Sequence, residues 1–215
     1  MLREETIRII EEKKVIAIVR GVYGEEILRL AQVLHEGGVD VLEATFDPLD
    51  AADRVRTAES ICMLAEHLGD CMMFGAGTVT TEEMVRQAHD AGARFIVSPN
   101  TDEAVIRATR ALDMVSIPGA LTPTEIKYAH NVGADFVKVF PACNMGVSYF
   151  RNIHAPLKDV RLLAVGGVKT ENAAEYMAAG CVGLGVAGCL FQKDWIRAGE
   201  WDRVTQAAKA LLAVL

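Results

Sequence analysis

Eight short apolar segments recur along the chain, at 15–20, 39–46, 71–77, 95–99, 114–119, 136–141, 161–167 and 183–188. Between and after them lie stretches of helical periodicity, at 24–37, 50–68, 80–91, 102–112, 123–131, 146–155, 171–179 and 194–213, with one more over about 3–13. Strands alternating with helices at this spacing imply right-handed βαβ units and a parallel sheet. Eight such units in succession predict an α/β fold, a (β/α)8 TIM barrel over 1–215 as one domain, with an extra N-terminal helix. Several strands end in small or turn-forming residues: Arg20-Gly21, Phe74-Gly-Ala-Gly77, Ser98-Pro99-Asn100, Phe140-Pro141, Val165-Gly-Gly167 and Gly183-Leu-Gly-Val-Ala-Gly188. A barrel gathers all of these at one mouth, where the loops that follow the strands carry the chemistry.

Two charges interrupt the apolar strands. In Phe136-Val-Lys-Val-Phe-Pro141, period-two alternation puts the amine of Lys138 on the same face as two phenylalanines. The other seven lysines (13, 14, 127, 158, 169, 193 and 209) fall on helix surfaces or loops. Burial disfavours the ammonium and can lower a lysine pKa by roughly 3 to 5, which makes the amine a nucleophile suited to Schiff-base chemistry. A structural lysine paired with a buried carboxylate is the competing reading. On the second strand, Val39-Asp-Val-Leu-Glu-Ala-Thr-Phe46, the same alternation puts Glu43 on one face with Val41 and Thr45. Strands 2 and 6 of a barrel oppose each other across its interior, so Glu43 and Lys138 are predicted to meet in a low-dielectric pocket. Perturbed pairs of this kind cluster at active sites.

Arg20 and Thr78, at the ends of the first and third strands, are candidate anchors for a substrate carboxylate or phosphate. Gly166, Gly167 and Gly188 follow strands 7 and 8, where barrels commonly cradle phosphate with loop amides. Residues 183–188 also match GxGxxG, but a dinucleotide site needs a further strand and an acidic residue about 20 residues on, and only one helix follows.

Composition narrows the partners. Fifty-one per cent hydrophobic residues and a mean hydropathy of +0.21 over 215 residues provide for a sizeable core. A net charge of −7, from 22 basic and 29 acidic residues without a basic run, argues against nucleic acid. No signal peptide or membrane span is legible. The five cysteines (62, 71, 143, 181 and 189) form no CxxC pair and read as buried free thiols of a reducing cytoplasm, with neither disulfide nor zinc. The five histidines form no ligand cluster, so no metal or other cofactor is expected.

The segments Ile16-Ala-Ile-Val-Arg20, Gly37-Gly-Val-Asp-Val-Leu-Glu-Ala-Thr-Phe46, Gly75-Ala-Gly-Thr-Val-Thr80, Phe95-Ile-Val-Ser-Pro99, Pro118-Gly119, Thr122-Pro-Thr-Glu125, Val137-Lys-Val-Phe-Pro141 and Gly166-Gly-Val168, in this order and spacing, resemble the 2-keto-3-deoxy-6-phosphogluconate (KDPG) / 4-hydroxy-2-oxoglutarate (KHG) aldolases. The resemblance implies a class I aldolase on a (β/α)8 barrel, usually a trimer, acting on a small 2-oxo acid. It makes Lys138 the Schiff-base lysine, Glu43 the general acid/base, Arg20 and Thr78 the contacts to substrate anions, and Phe140 a wall of the pocket. Pro99 and the glycines 166, 167 and 188 join the substrate-binding set. Three departures from the family pattern stand out. Asp47 stands where some members have an arginine, Ala164-Val165 where Pro-Thr is frequent, and Gly188 where a phosphate-binding serine is frequent. Two other readings stay open at this point: a phosphate-binding isomerase or synthase without a Schiff base, and a non-catalytic sugar-acid binding protein.

Overall fold

The computed structural model describes residues 2–215. Helix α1 (Leu2–Lys13) precedes β1 (Val15–Val19), and the chain continues through α2 (Gly24–Glu36), β2 (Val41–Thr45), α3 (Ala51–Leu68), β3 (Met73–Gly77), α4 (Glu82–Asp90), β4 (Phe95–Val97) and α5 (Glu103–Ala111). The second half runs β5 (Val115–Ile117), β6 (Gly119–Ala120), α6 (Pro123–Asn131), β7 (Val137–Val139), α7 (Ala142–Met145), α8 (Val147–His154), β8 (Leu162–Val165), α9 (Thr170–Ala178), β9 (Cys181–Val186), α10 (Lys193–Arg197) and α11 (Trp201–Leu212). All strand pairs are parallel, in the order β5-β4-β3-β2-β1-β9-β8-β7-β6.

The predicted strand 114–119 is two short strands, β5 and β6, interrupted at Pro118. Proline has no N–H to give a ladder. One piece pairs with β4 and the other with β7. Backbone bonds from Phe136 N to Ser116 O (3.2 Å) and from Lys138 N to Pro118 O (2.9 Å) join the two ends of the sheet, so nine strand pieces make an eight-stranded (β/α)8 barrel. Caps fix several helix starts: Asp50 accepts from Ala52 N and Asp53 N, Thr81 from Met84 N, and Thr122 and Glu125 form a capping box. The predicted final helix is divided. A Schellman-type bond from Glu200 N to Trp195 O (2.9 Å) ends α10 before α11 begins.

Alternation sorts the strand residues. Leu42, Ala44, Val137 and Val139 face the surrounding helices, while Val41, Phe95, Val97, Val115, Ile117, Phe136 and Leu163 fill the barrel interior. From α1, Ile7 and Ile10 pack against that inner cluster and plug the end opposite the mouth. Asp135 stands at this closed end. Its buried carboxylate accepts from Ser116 N (2.9 Å) and pairs with Arg3 of α1 and with Arg110 (3.6 Å). The interior is thus filled from below and left open above.

The cysteines depart from the expectation of burial. Cys62, Cys71 and Cys143 are exposed, Cys189 is half-buried and Cys181 is buried. Cys62 lies on the outer face of α3, Cys71 in the turn behind it and Cys143 on the short α7, all places where apolar neighbours in sequence point elsewhere in space. Among the described residues, no helix is long and apolar enough to cross a membrane.

Candidate active site

Lys138 occupies the centre of β7, between Gly119 of β6 and Leu163 of β8 in register. Two positions behind it, Phe136 fills the interior, so strand geometry aims the lysine inward just above the packed layer. Its residual exposure is 8%. The ammonium has no hydrogen bond or ion pair among the described residues. Its Nζ lies 4.8 Å from the centroid of the Phe140 ring. Burial lowers the Lys138 pKa from its ordinary 10.5; the charge of Glu43 opposes that shift and Arg20 adds to it.

Glu43 sits at the middle of β2, next to Ile18 of β1 and Gly75 of β3, and is 3% exposed. Burial raises its pKa above the ordinary 4.5, opposed by Lys138, a hydrogen bond from Thr45 and the charge of Arg20. Thr45 Oγ1 donates to Glu43 Oε1 at 3.4 Å. Desolvation is thus the largest influence on both groups and pushes both toward neutrality, the protonation states a nucleophilic amine and a proton-donating acid need. Gly77 makes room for the carboxylate, because a Cβ there would lie 1.6 Å from Glu43 Oε1.

Arg20 and Thr78 meet at the rim. Arg20 Nη2 donates to Thr78 Oγ1 at 2.7 Å and Nη1 to Phe46 O at 3.4 Å. Thr78 adopts φ +56°, an uncommon and strained conformation for a β-branched residue. Across the mouth, Gly166 (φ +93°) and Gly167 (φ +74°) turn the backbone in a region side-chained residues rarely enter. Phe140 packs against Gly166 and Cys143 against Gly167.

A cavity of about 670 Å³ unites these groups. Arg20, Glu43, Thr78, Pro99, Lys138 and Phe140 line it, and so do Gly166, Gly167 and Gly188. Gly185, from the glycine stretch 183–188, also lines it, as do Ile18, Val168, Glu171, Ala187 and Cys189, which sequence reasoning did not single out. Ile18 carried a signal, since it shares an inward register with Glu43. Glu171 carried none, because its side chain enters from a helix start. Asp47 does not line the cavity. It is exposed, and its Oδ1 accepts from Leu49 N at 2.9 Å, a turn-capping role. Of the GxGxxG stretch, Gly183 and Gly185 lie inside β9 and only Gly188 in the loop after it. Among the described residues, no group of three or more His, Cys, Asp or Glu side chains is placed to hold a metal ion.

The sequence model for KDPG and KHG aldolase matches residues 6–207. The chain belongs to this aldolase family. It is 39% identical over 203 residues to the probable 2-dehydro-3-deoxy-6-phosphogalactonate aldolase of Rhizobium meliloti, covering 94% of this chain and 91% of that one. It is 35% identical to the 2-dehydro-3-deoxy-6-phosphogalactonate aldolase of Escherichia coli, with 92% of each covered. Its fold matches the crystal structure of KDPG aldolase from Legionella pneumophila with pyruvate captured at low pH as a covalent carbinolamine intermediate. That match has a TM-score of 0.82 at 26% identity over 92% of this chain and 93% of the other. The chain is therefore an aldolase of the KDPG/KHG type on a TIM barrel.

Proposed function

We propose that this aldolase is a class I enzyme that cleaves a 2-keto-3-deoxy-6-phospho sugar acid to pyruvate and glyceraldehyde 3-phosphate through a Schiff base on Lys138. The observation that carries the reading is that Lys138, whose pKa burial lowers, and Glu43, whose pKa burial raises, line one cavity with Arg20 and Thr78. The pyruvate carbinolamine recorded for the Legionella relative supports amine chemistry on this fold.

The residues account for each proton. Neutral Lys138 attacks the C2 ketone, and the proton released from nitrogen moves to the former carbonyl oxygen. Glu43, protonated at this stage, donates to that hydroxyl, which leaves as water and creates the iminium. The resulting carboxylate takes the proton of the C4 hydroxyl, the C3–C4 bond breaks, and its electrons pass into the iminium to give an enamine. The aldehyde departs. Glu43 returns the proton to C3, and hydrolysis frees pyruvate and regenerates the amine. Arg20, tethered to Thr78, holds the substrate carboxylate.

Within this reading the galactonate epimer is the preferred sugar acid. The two relatives above act on that epimer by name. Val165, where Pro-Thr precedes the double glycine in many members, gives the cavity an apolar wall in place of a hydroxyl. The reading includes a homotrimer and a cytoplasmic site of action, with a sedimentation mass of three times the 23.3 kDa chain as its readout.

The test is pyruvate release, coupled to lactate dehydrogenase, from the 6-phosphogalactonate and 6-phosphogluconate 2-keto-3-deoxy acids and from 4-hydroxy-2-oxoglutarate. The expected order of kcat/KM places the galactonate epimer first. A faster gluconate epimer or 4-hydroxy-2-oxoglutarate would reassign the substrate, and release from none of the three would favour the isomerase or binding-protein readings.

A further inference from the structure

From Lys138 the cavity extends to Gly166, Gly167 and Gly188, and its lining there includes two charged residues, Lys169 and Glu171. Among the described residues, Thr78 supplies the lining's one side-chain hydroxyl, and that hydroxyl already accepts from Arg20. Gly188 offers only its backbone, with no atom within 4 Å of where a Cβ would stand. A phosphate seated here meets backbone amides, an acid and a lysine.

The lysine is held ready for such a ligand. Its backbone N donates to Asn172 Oδ1 at 2.8 Å, and Asn172 Nδ2 donates to Gly167 O at 3.2 Å, so one side chain ties together both ends of the Gly167–Lys169 turn. The side chain of Lys169 is exposed, and among the described residues no carboxylate lies within ion-pairing distance of it. The chain as a whole carries −7, and Glu171 adds a local negative charge at this end. An incoming phosphate dianion therefore needs a compensating cation at close range.

We infer that Lys169 is the specificity-determining residue for the substrate's phosphate, its ammonium taking the part that side-chain hydroxyls would otherwise play; this rests on the aldolase reading above. Charge-based recognition of this kind weakens with salt, unlike recognition by hydroxyls.

The test compares the parent with Lys169→Gln and Lys169→Arg, using 2-keto-3-deoxy-6-phosphogalactonate and its unphosphorylated counterpart. Losing one charge-assisted contact is expected to raise KM for the phosphorylated acid about tenfold in Lys169→Gln, with kcat within about twofold. The preference for the phosphorylated over the unphosphorylated acid falls by a similar factor. Inorganic phosphate becomes a weaker competitive inhibitor, the difference narrows at high salt, and Lys169→Arg keeps most of the preference. An unchanged preference in Lys169→Gln, or an equal loss on both acids, overturns the inference and leaves the aldolase reading standing. Failure of the parent to release pyruvate or to be trapped by borohydride with pyruvate overturns both.

Discussion

Replacing Gly77 with alanine tests how the barrel holds its acid. A Cβ at position 77 would stand 1.6 Å from Glu43 Oε1, 2.4 Å from Cδ and 2.7 Å from Cγ, whereas ordinary contact begins at 3.4 Å. The carboxylate must therefore retreat by about 1.8 Å. Because Cγ is crowded too, rotating the carboxylate alone does not relieve the clash. The backbone of β3 accepts alanine, since Gly77 is not among the glycines with positive φ. A misplacement of about 1 Å in a reacting group costs on the order of 100-fold in rate, so kcat is expected to fall at least about 100-fold, or about 2.7 kcal/mol of transition-state stabilisation. Overpacking takes a further ~1–3 kcal/mol from stability, visible in a thermal melt. The amine of Lys138 is untouched, but Glu43 also expels the carbinolamine hydroxyl, so a borohydride-reducible pyruvate adduct should still form on Lys138, only more slowly than in the parent. The assay is steady-state pyruvate release beside adduct yield, with Glu43→Gln as the reference. If Gly77→Ala kept kcat within about twofold while Glu43→Gln was inactive, the close fit of Glu43 against β3 would have no bearing on catalysis and the reasoning would fail.

Adduct formation with pyruvate is expected to rise with pH, because only the neutral amine attacks, and burial completes that rise below the ordinary lysine value of 10.5. Glu43→Gln removes the charge that favours the ammonium, so the limb should move further down; a limb centred at 10.5 in both proteins would contradict the electrostatic account. At the opposite end of the barrel, Asp135→Asn leaves Arg3 and Arg110 without their shared carboxylate. It should cost about 1.5–3 kcal/mol in urea unfolding with little change in kcat. A loss under about 1 kcal/mol would mean that α1 is held by its isoleucines alone.

What the sequence made legible follows from backbone periodicity. Lys138 and Glu43 stood out because period two leaves no freedom about which face a strand residue occupies, and in the fold Phe136 and Val41 fix the inward direction for both. The strand-end glycines pointed to the mouth for the same reason, since a parallel barrel gathers equivalent strand ends. The division of 114–119 was not legible. It arises because two halves of one segment pair with different neighbours as the barrel closes, which is a property of the whole sheet. The departure at Asp47 was visible in sequence but not its place, which its exposure, its absence from the cavity lining and its bond from Leu49 N put outside the pocket. The cysteines misled because local apolar company does not say which side of a helix faces outward. Glu171 and Cys189 reach the cavity from loop and helix-start positions, where no period predicts direction.

The account turns on a covalent bond between Lys138 and the substrate ketone. Incubation with pyruvate and borohydride, followed by intact mass and peptide mapping beside a Lys138→Ala control, addresses that bond directly. The predicted result is one reduced pyruvyl adduct, mapped to the peptide containing Lys138 and missing in the control. Pyruvate release from the phosphorylated acids with no adduct on Lys138, or with the adduct on another lysine, would contradict the account.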